Sequence, residues 1–381
     1  MLTPDISSSE QGKAIRIVVA GGGTGGHLFP GIAVAQGFMS KNPGNRVVFI
    51  SSGNDFEKSA LSRAGFELLT IPVSGIKGRG IKNQFGAMMN LPKGLTTAMG
   101  HLKRFKPDLV ISVGSYSAGP VAVGAWLLGI KTVLHEQNIL PGITNRIVSR
   151  FARRIYLSFE GKDAGMNPEK IRFSGNPVRS EFFDDKSVGE DDVQHDGDIE
   201  KRFTVLIVGG SQGAHSINLA VAEALTHIRE KDRFRFVHQT GKNDEVKIRE
   251  AYENAGIKNV VRPFFDDMGN RYRNADLLIC RSGATTVAEI TAMGKASILI
   301  PYPFAADNHQ VLNAQALDDA GAAEMVLEQH LNGSLLARRI EHYAAHPEIL
   351  VDMENVARKF GRPDAAMFIV NDCYQLLETC H

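Results

Sequence analysis

Two histidines occupy matching positions after two glycine-rich segments that lie half a chain apart. The first segment reads GGGTGGH at 21–27 and the second reads GGSQGAH at 209–215, so a shift of 188 positions superimposes them. Each follows a short apolar run rich in β-branched residues, which predicts a buried parallel strand, and each precedes a helical pattern. Backbone N–H groups at such a junction favour a phosphate. The repeat therefore predicts two Rossmann-like units.

Further polar clusters follow other predicted strands, at the edge where ligands bind in open α/β sheets. HEQN at 135–138 ends one strand, and GSYS at 114–117 forms a third glycine-rich turn. That turn could bind a second substrate that carries a diphosphate, or its residues could serve only to form the turn. His27 begins a predicted helix, whose positive end favours a neutral imidazole that can accept a proton over an imidazolium. The alternative is a histidine that only caps the turn.

The second half carries its own set of polar turns. Residues 284–286 begin a predicted helix, and their backbone N–H groups could bind a phosphate. Glu289, about one turn further along, could bind a pair of ribose hydroxyls. DNHQ at 307–310 offers amide and imidazole groups to sugar hydroxyls, and Arg179 could reach a phosphate. Each cluster alone is also compatible with ordinary turn and cap chemistry.

Charge is divided unevenly along this 381-residue chain, although the net charge is only +1. Residues 1–180 hold 22 Lys and Arg against 10 Asp and Glu, and the remainder is correspondingly acidic. A basic half allows nucleic acid, an anionic membrane or a phosphorylated substrate as partner. The excess is concentrated in residues 76–106, where basic and apolar side chains alternate. That composition suits an anionic membrane surface or a solvated amphipathic helix.

The cysteines and apolar runs exclude several classes of protein. The three cysteines, Cys280, Cys373 and Cys380, are odd in number and are not clustered. We therefore expect neither a disulfide framework nor a zinc site, and we expect the protein to be located in the reducing cytoplasm. The apolar run 118–130 is broken by glycine and proline and is too short to span a bilayer. The DGD at 196–198 lies in an acidic segment without a flanking strand, so we expect no protein-bound metal. We also expect no cofactor.

The apolar runs predict seven parallel strands in the first half, from 15–20 to 171–174, and five in the second, from 204–208 to 297–301. Residues 184–200 hold eight acidic side chains and few apolar ones, which predicts a surface linker. The expected organisation is a first domain at 14–180, an acidic linker at 181–202, a second domain at 203–363 and a C-terminal helix at 364–381.

Together these motifs resemble those of the MurG family, bacterial transferases that add N-acetylglucosamine to lipid I. The motifs that carry the resemblance are GGTGGH at 22–27, HEQN at 135–138, GNPVR at 175–179, GGSQGA at 209–214, RSGA at 281–284 and DNHQ at 307–310. The resemblance implies an α/β fold of the GT-B type, in which two Rossmann-like, doubly wound parallel-sheet domains face a cleft. It also implies that the C-terminal helix returns toward the N-terminal domain.

By the same resemblance, the C-terminal domain binds UDP-N-acetylglucosamine, and the N-terminal domain meets lipid I and a membrane. The implied UDP-N-acetylglucosamine residues are Thr24, Gly25, Gly26, Asn138, Arg179, Ser211, Phe265, Ala284, Thr285, Thr286, Val287, Ala288, Glu289 and Gln310. The implied acceptor-diphosphate residues are Gly22, Gly23, Ser115, Tyr116 and Ser117. Phe265 would contact uracil through its backbone. The resemblance further implies a peripheral protein on the cytoplasmic face of the bacterial inner membrane, without a nucleic-acid partner.

We expect a direct displacement with inversion, in which a general base activates the acceptor hydroxyl. His27 is the favoured base, and Glu136 is the runner-up or the residue that orients His27. One alternative is a UDP-sugar:diacylglycerol glycosyltransferase of the same fold. Another is an NAD-dependent oxidoreductase. Such an enzyme needs an acidic residue at the end of the second strand to bind the ribose, but this chain has ISSG at 50–53. A third is a non-catalytic protein that binds nucleotide sugars or membranes.

Overall fold

The computed structural model describes residues 13–73, 81–160, 165–184, 202–210, 213–305 and 308–379, with only the backbone described for 81–90. Strands and helices alternate along most of these residues. Their bounds are β1 (Arg16–Ala20), α1 (Gly25–Lys41), β2 (Arg46–Ser51), α2 (Asp55–Arg63), β3 (Glu67–Thr70), α3 (Ile81–Phe105), β4 (Leu109–Ser112), α4 (Ala118–Leu127), β5 (Lys131–Glu136), α5 (Ile143–Ser149), β6 (Arg154–Leu157), β7 (Ile171–Phe173), β8 (Phe203–Val208), α6 (His215–His227), β9 (Phe234–Gln239), α7 (Glu245–Ala255), β10 (Lys258–Arg262), α8 (Met268–Arg273), β11 (Leu277–Cys280), α9 (Ala284–Met293), β12 (Ser297–Leu299), α10 (His309–Asp319), β13 (Glu324–Met325), α11 (Gly333–Ala345), α12 (Pro347–Phe360) and α13 (Ala365–Glu378).

The chain forms two compact units. Unit 1 comprises the described residues of Met1–Gln137, Pro141–Pro177 and Asp364–His381, and unit 2 comprises those of Asn138–Leu140 and Val178–Pro363. Each unit contains one sheet, and every strand pair in both sheets is parallel. The predicted α/β class is therefore confirmed.

The sheet of unit 1 has the order β3-β2-β1-β4-β5-β6-β7. The order reverses between β1 and β4, which places the carboxyl ends of these two strands at a topological switch point, where ligands bind in doubly wound folds. Val18 of β1 pairs with Val48 on one side and Val110 on the other. All seven predicted strands of this half are present, with ends that differ by at most one or two residues.

Helices cover both faces of this sheet. The alternating side chains of β1 divide the core into two layers. One layer contains Ile17, Val19, Leu28, Ile32, Ile369 and Val370, and the other contains Val18, Ala20, Ala98, Leu102 and Val121. The C-terminal helix α13 thus completes unit 1, because its apolar face lies against α1. Tyr374 on this helix also bonds through its hydroxyl with Asn45 Nδ2 at 2.8 Å.

The sheet of unit 2 repeats the pattern with the order β10-β9-β8-β11-β12-β13, and its switch point lies between β8 and β11. Its core joins β8 to α6 and α11 through Val205, Ile207, Ile217, Val221, Leu336 and Ile340. The five predicted strands of this half are present. The edge strand β13 was not predicted, because two residues are too short to show any periodicity.

Close backbone contacts explain a glycine in each of the repeated turns. Gly21 has φ +121° and Gly213 has φ +78°. A Cβ atom on Gly21 would collide with the carbonyl oxygen of Gly114, and one on Gly213 would collide with that of Thr240. Only glycine fits a position that combines positive φ with such an approach. Among the described residues, no helix is both long enough and apolar enough to cross a bilayer.

Candidate active site

The first glycine turn joins β1 to α1 and rests on a buried carboxylate. Glu57 is fully buried in the first turn of α2. It accepts hydrogen bonds from the backbone N–H groups of Gly23 at 2.5 Å, Gly53 at 2.7 Å and Asn54 at 2.8 Å. Gly22 must lack a side chain, because a Cβ atom there would collide with the Glu57 carboxylate. The Gly23 amide is therefore already used within the protein.

Sequence reasoning missed Glu57, although its signal was readable. The Asn54 side chain accepts from the Glu57 N–H at 2.9 Å, while the Glu57 carboxylate accepts from the Asn54 N–H. This reciprocal pair is a capping box, in which an N-cap residue and a Glu three positions later stabilise a helix start. The pattern predicts a helix start but not the additional bond to the glycine turn.

The predicted residues Thr24, Gly25 and Gly26 form the N-terminal end of α1. Thr24 is the N-cap in an extended conformation, and its side chain makes no cap hydrogen bond. Thr24 and Gly26 are exposed, whereas Gly25 is buried. The N-cap side chain therefore does not bind the N–H groups of the first helical turn.

His27 stands in the first turn of α1 and bonds to Gln137. Its Nδ1 lies 2.9 Å from Gln137 Oε1. Gln137 is buried directly after β5, and its Nε2 donates to the Val113 carbonyl at 2.8 Å. The structure thus brings together residues that follow the neighbouring strands β1, β4 and β5. The predicted cluster at 135–138 does lie at the carboxyl end of a strand, as its pattern indicated.

Two further members of this cluster are buried. His135 Nδ1 lies 3.1 Å from Gln137 Nε2, and its Nε2 lies 3.4 Å from the Gly175 carbonyl oxygen. Burial lowers the pKa of His135 to about 4, outweighing the raising effect of the Gly175 carbonyl, and the nearby His27 lowers it further. His135 is therefore neutral at pH 7 and forms a hydrogen bond with the Gln137 side chain.

Glu136 is also buried, and its carboxylate holds the loop that leads into α5. Its Oε2 accepts from Asn145 Nδ2 at 2.7 Å and from the Gly142 N–H at 3.2 Å. The Nδ1 of His27 bonds to Gln137, the residue after Glu136. The role of Glu136 as alternative base or orienting partner stays a prediction.

The third glycine turn follows β4 and lies against His27. Gly114 and Ser115 have positive φ, and a Cβ atom on Gly114 would lie 3.1 Å from His27 Nδ1. Ser115 Oγ and Ser117 Oγ are 2.9 Å apart, and Tyr116 is exposed. The predicted acceptor-diphosphate residues in the turns after β1 and β4 are thus neighbours at the switch point of unit 1.

In unit 2, a buried glutamine connects the second glycine turn to the loop after β10. Gln239 Nε2 donates to the Gly210 carbonyl at 3.2 Å, and its Oε1 accepts from the Phe265 N–H at 3.0 Å. The backbone group that Phe265 could offer to a uracil is therefore its carbonyl. Ser211, predicted to bind the donor, lies outside the described residues, as does Asp307.

Glu289 lies within α9, the helix predicted to bind the donor. It is 6 % exposed, lies 3.4 Å from Arg179 Nη2 and accepts from the Tyr272 hydroxyl at 3.4 Å. Burial raises the pKa of Glu289 to about 7, although the Arg179 guanidinium opposes this shift. Arg179 pairs with Glu181 as well, at 2.8 Å. The predicted ribose-binding carboxylate and the predicted phosphate-binding guanidinium are thus in contact.

The N-terminal end of α9 has Gly283 as its N-cap, without a side-chain cap hydrogen bond. Its residues Ala284, Thr285, Val287 and Glu289 are buried, and Thr286 and Ala288 are partly exposed. The loop before it is held by Ser282, whose hydroxyl donates to the Gln310 carbonyl at 2.8 Å.

Gln310 opens α10 next to this loop. Its Oε1 accepts from the Tyr302 N–H at 3.0 Å, which directs the amide N–H₂ group, a pure donor, away from that contact. Asn138, the other residue predicted to bind sugar hydroxyls, is partly exposed and is grouped with unit 2. Within the described ranges, no three His, Cys, Asp or Glu side chains are close enough together to hold a metal ion.

Comparison with known families accounts for both sheets. Residues 17–157 match the glycosyltransferase family 28 N-terminal domain, and residues 204–367 match the glycosyltransferase family 28 C-terminal domain. The chain belongs to glycosyltransferase family 28. This membership confirms the resemblance that the motifs carried, and it removes the oxidoreductase alternative.

Curated relatives in family 28 align over almost the whole chain. A protein of Syntrophus aciditrophicus named UDP-N-acetylglucosamine--N-acetylmuramyl-(pentapeptide) pyrophosphoryl-undecaprenol N-acetylglucosamine transferase is 45% identical over 95% of this chain and 99% of its own. A protein of the same name from Myxococcus xanthus is 43% identical over 95% of this chain and 93% of its own.

Solved structures share the two-unit architecture of family 28. The crystal structure of Acinetobacter baumannii MurG has a TM-score of 0.70 and 28% identity, and the match covers 94% of this chain and 98% of that one. A UDP-GlcNAc 2-epimerase from Neisseria meningitidis, bound to UDP-GlcNAc, has a TM-score of 0.65 at 14% identity, covering 95% and 100%. At this low sequence identity, the similarity to the epimerase concerns the fold alone.

Proposed function

We propose that this family 28 enzyme transfers N-acetylglucosamine from UDP-N-acetylglucosamine to the muramoyl sugar of lipid I, giving lipid II for peptidoglycan. The observation that carries the proposal is the 45% identity to a relative named for this reaction, which extends over 95% of this chain. Because the similarity spans both units, it includes the predicted donor-binding and acceptor-binding residues together.

The donor is proposed to bind unit 2. The N-terminal end of α9 is assigned to the diphosphate through the N–H groups of Ala284, Thr285 and Thr286, because the helix dipole favours its charge. Glu289 faces the ribose hydroxyls in this proposal. With a pKa near 7, its carboxyl group can accept or donate a hydrogen bond at physiological pH. The Gln310 amide is assigned to a sugar hydroxyl.

The acceptor is proposed to bind unit 1, with His27 as the general base. The acceptor hydroxyl oxygen bonds to C1 of the sugar, the bond from C1 to the β-phosphate oxygen breaks with its electron pair on UDP, and the hydroxyl proton passes to His27. The Ser115–Ser117 turn is the better diphosphate site of the two predicted in this unit. The reason is that the Gly23 amide already binds Glu57.

An anionic membrane surface is the third proposed partner, with a peripheral location on the cytoplasmic face of the inner membrane. Of the predicted basic segment 76–106, the described side chains Lys93, Lys103, Arg104 and Lys106 are exposed. Residues 76–80 lie outside the described ranges. Basic side chains near an anionic bilayer each contribute about 1 kcal/mol to its attraction.

An exposed apolar surface on α4 and α5, which sequence reasoning missed, supports this location. Trp126 is 56% exposed and Ile143 is 70% exposed, and Leu127 and Ile147 are also exposed. The Trp126 ring packs against Phe151, which follows α5, at 5.7 Å between ring centroids. Arg146 on α5 and Arg150, which directly follows this helix, are exposed as well. Exposed apolar side chains with arginines close by in the sequence are typical of an interfacial surface.

A flotation assay with vesicles tests the membrane proposal. We expect binding to vesicles that contain anionic lipid to fall at least about fivefold in Ile143→Asp/Ile147→Asp. Val246→Asp/Val351→Asp in unit 2 is the matched control, since it adds the same two charges at side chains that are 71% and 54% exposed. Equal loss in the control, or no loss in the double variant, would contradict the proposal.

One transfer assay tests the reaction itself. Labelled UDP-N-acetylglucosamine is supplied with a lipid I analogue and, in parallel, with diacylglycerol. We expect label in the lipid I product only. Label in diacylglycerol would assign the chain to the other transferase of this fold, and binding of UDP without any transfer would indicate a non-catalytic protein.

A further inference from the structure

The orientation of the Gln137 amide is determined by two fixed neighbours. Its Nε2 lies 2.8 Å from the Val113 carbonyl oxygen, which can only accept, so this atom is the amide nitrogen. Its Oε1 is then the atom 2.9 Å from His27 Nδ1. Because an amide oxygen also only accepts, the hydrogen between Oε1 and the ring must be on Nδ1.

The second amide hydrogen of Gln137 is used as well. It points to His135 Nδ1 at 3.1 Å, and His135 places its own hydrogen on Nε2, which lies 3.4 Å from the Gly175 carbonyl. His135 can accept at Nδ1 because its ring is neutral, as the effect of burial on its pKa requires. The hydrogen-bond directions therefore run consistently from His27 to Gln137, and from Gln137 to Val113 and His135.

We propose that Gln137 is a positioning residue, which holds His27 in the tautomer with hydrogen on Nδ1 and leaves Nε2 as the proton acceptor. The inference deepens the proposed function, since it rests on His27 being the base. When the acceptor hydroxyl proton passes to Nε2, the ring becomes an imidazolium whose Nδ1–H still bonds to Gln137. No rearrangement of Gln137 is needed during the step.

A purely structural role explains these contacts less well. Val113 directly follows β4 and His135 is part of β5, so the sheet itself fixes both partners of the amide nitrogen. The His27 ring lies against Gly114, where any side chain would come within 3.1 Å of Nδ1. Packing alone would need only a side chain of similar volume, whereas these bonds select one orientation of the amide and one tautomer of the ring.

The test measures the tautomer directly in the full-length protein. Histidine is labelled with ¹⁵N, and long-range ¹H–¹⁵N spectra distinguish the nitrogen that carries hydrogen from the one that does not. His27→Asn identifies the His27 signals. Gln137→Met removes both the donor and the acceptor at nearly constant volume. Gln239→Met, which deletes an equally buried amide in unit 2, is the control for the tautomer.

We expect wild-type His27 to carry hydrogen on Nδ1 alone, and Gln137→Met to show both tautomers with the Gln239→Met spectrum unchanged at His27. We also expect kcat to fall about 10- to 100-fold in Gln137→Met while KM for UDP-N-acetylglucosamine stays within about twofold. Wild-type hydrogen on Nε2 would overturn the inference even if the variant failed to fold.

Two further outcomes separate this inference from the proposal on which it rests. An unchanged tautomer in folded Gln137→Met overturns the positioning role and leaves the assignment of His27 as the base intact. Near-normal turnover in His27→Ala overturns the base assignment, and the positioning role in catalysis is overturned with it.

Discussion

His27 and His215 follow the two copies of one glycine turn, yet the two units surround them differently. His27 is partly buried, and its Nδ1 bonds to the neutral amide of Gln137. The side chain of His215 is 67% exposed, and its Nδ1 lies 2.9 and 3.0 Å from the two carboxylate oxygens of Asp244. Only the second histidine forms an ion pair on protonation. The repeated motif therefore specifies a position but not a chemical role.

The turns beneath these histidines differ in the opposite sense. The first rests on the Glu57 carboxylate, whereas the described support of the second is the neutral Gln239 amide. A backbone N–H group that already binds an internal carboxylate is not available to a phosphate, and the Gly23 N–H of the first turn is such a group. The comparison agrees with the proposal that the first turn contributes mainly its histidine.

The largest expected effect separates the two histidines in catalysis. His27→Ala should lower kcat about 100- to 10,000-fold, because a general base contributes that much to proton transfer. His215→Ala should change kcat less than about threefold. Turnover at saturating donor and acceptor measures both. Similar losses in the two variants would show that the comparison has no functional meaning.

A second prediction concerns the supports of the two turns. Glu57→Ala should lower the free energy of unfolding by about 3 kcal/mol, because it removes three charge-assisted bonds to backbone N–H groups, each of them partly buried. Gln239→Ala should lower it by about half as much, since its bonds are neutral. Urea denaturation measures both, and a larger loss for Gln239→Ala would reverse the comparison.

The third prediction uses the raised pKa of Glu289. Burial disfavours its charged form, so its contribution to stability is fully present below its ordinary value of 4.5 and is lost as the pH rises through about 7. Glu289→Gln cannot ionise. Relative to wild type, the variant should therefore gain on the order of 2 kcal/mol of unfolding free energy between pH 4.5 and pH 8. Parallel stability curves for the two proteins would contradict this.

The smallest expected effect concerns the His215–Asp244 pair. Because His215 is mostly exposed, His215→Ala should lower the free energy of unfolding by less than about 1 kcal/mol. The difference from wild type should shrink further in 1 M salt, which screens exposed charges. Asn218 already joins α6 to this loop, since its Nδ2 donates to Asp244 at 2.7 Å and to the Thr240 carbonyl at 2.9 Å. A loss that is independent of salt would indicate a packing role for His215.

Much of the fold was predictable because its signals are local. Apolar runs bounded by glycine turns identified twelve strands of the two sheets, and the motif order identified the family. The candidate site was less predictable. Glu57 was visible as part of a capping box, but its bond to Gly23 joins residues 34 positions apart, and no local pattern encodes that contact. The exposed face of α5 was missed because a helix of seven residues is too short for a clear amphipathic pattern.

The sequence by itself determined the α/β class, the repeated strand–turn–helix units and the set of side chains available at the strand ends. These follow from side-chain periodicity and from the few residues that can adopt positive φ. The tertiary structure alone decided which partner each of those side chains has. Gln137 reaches His27 because β5 lies two strands from β1 in the sheet, although 110 positions separate them in the chain. Strand order brings such residues together, and strand order is a property of the folded sheet rather than of any segment within it.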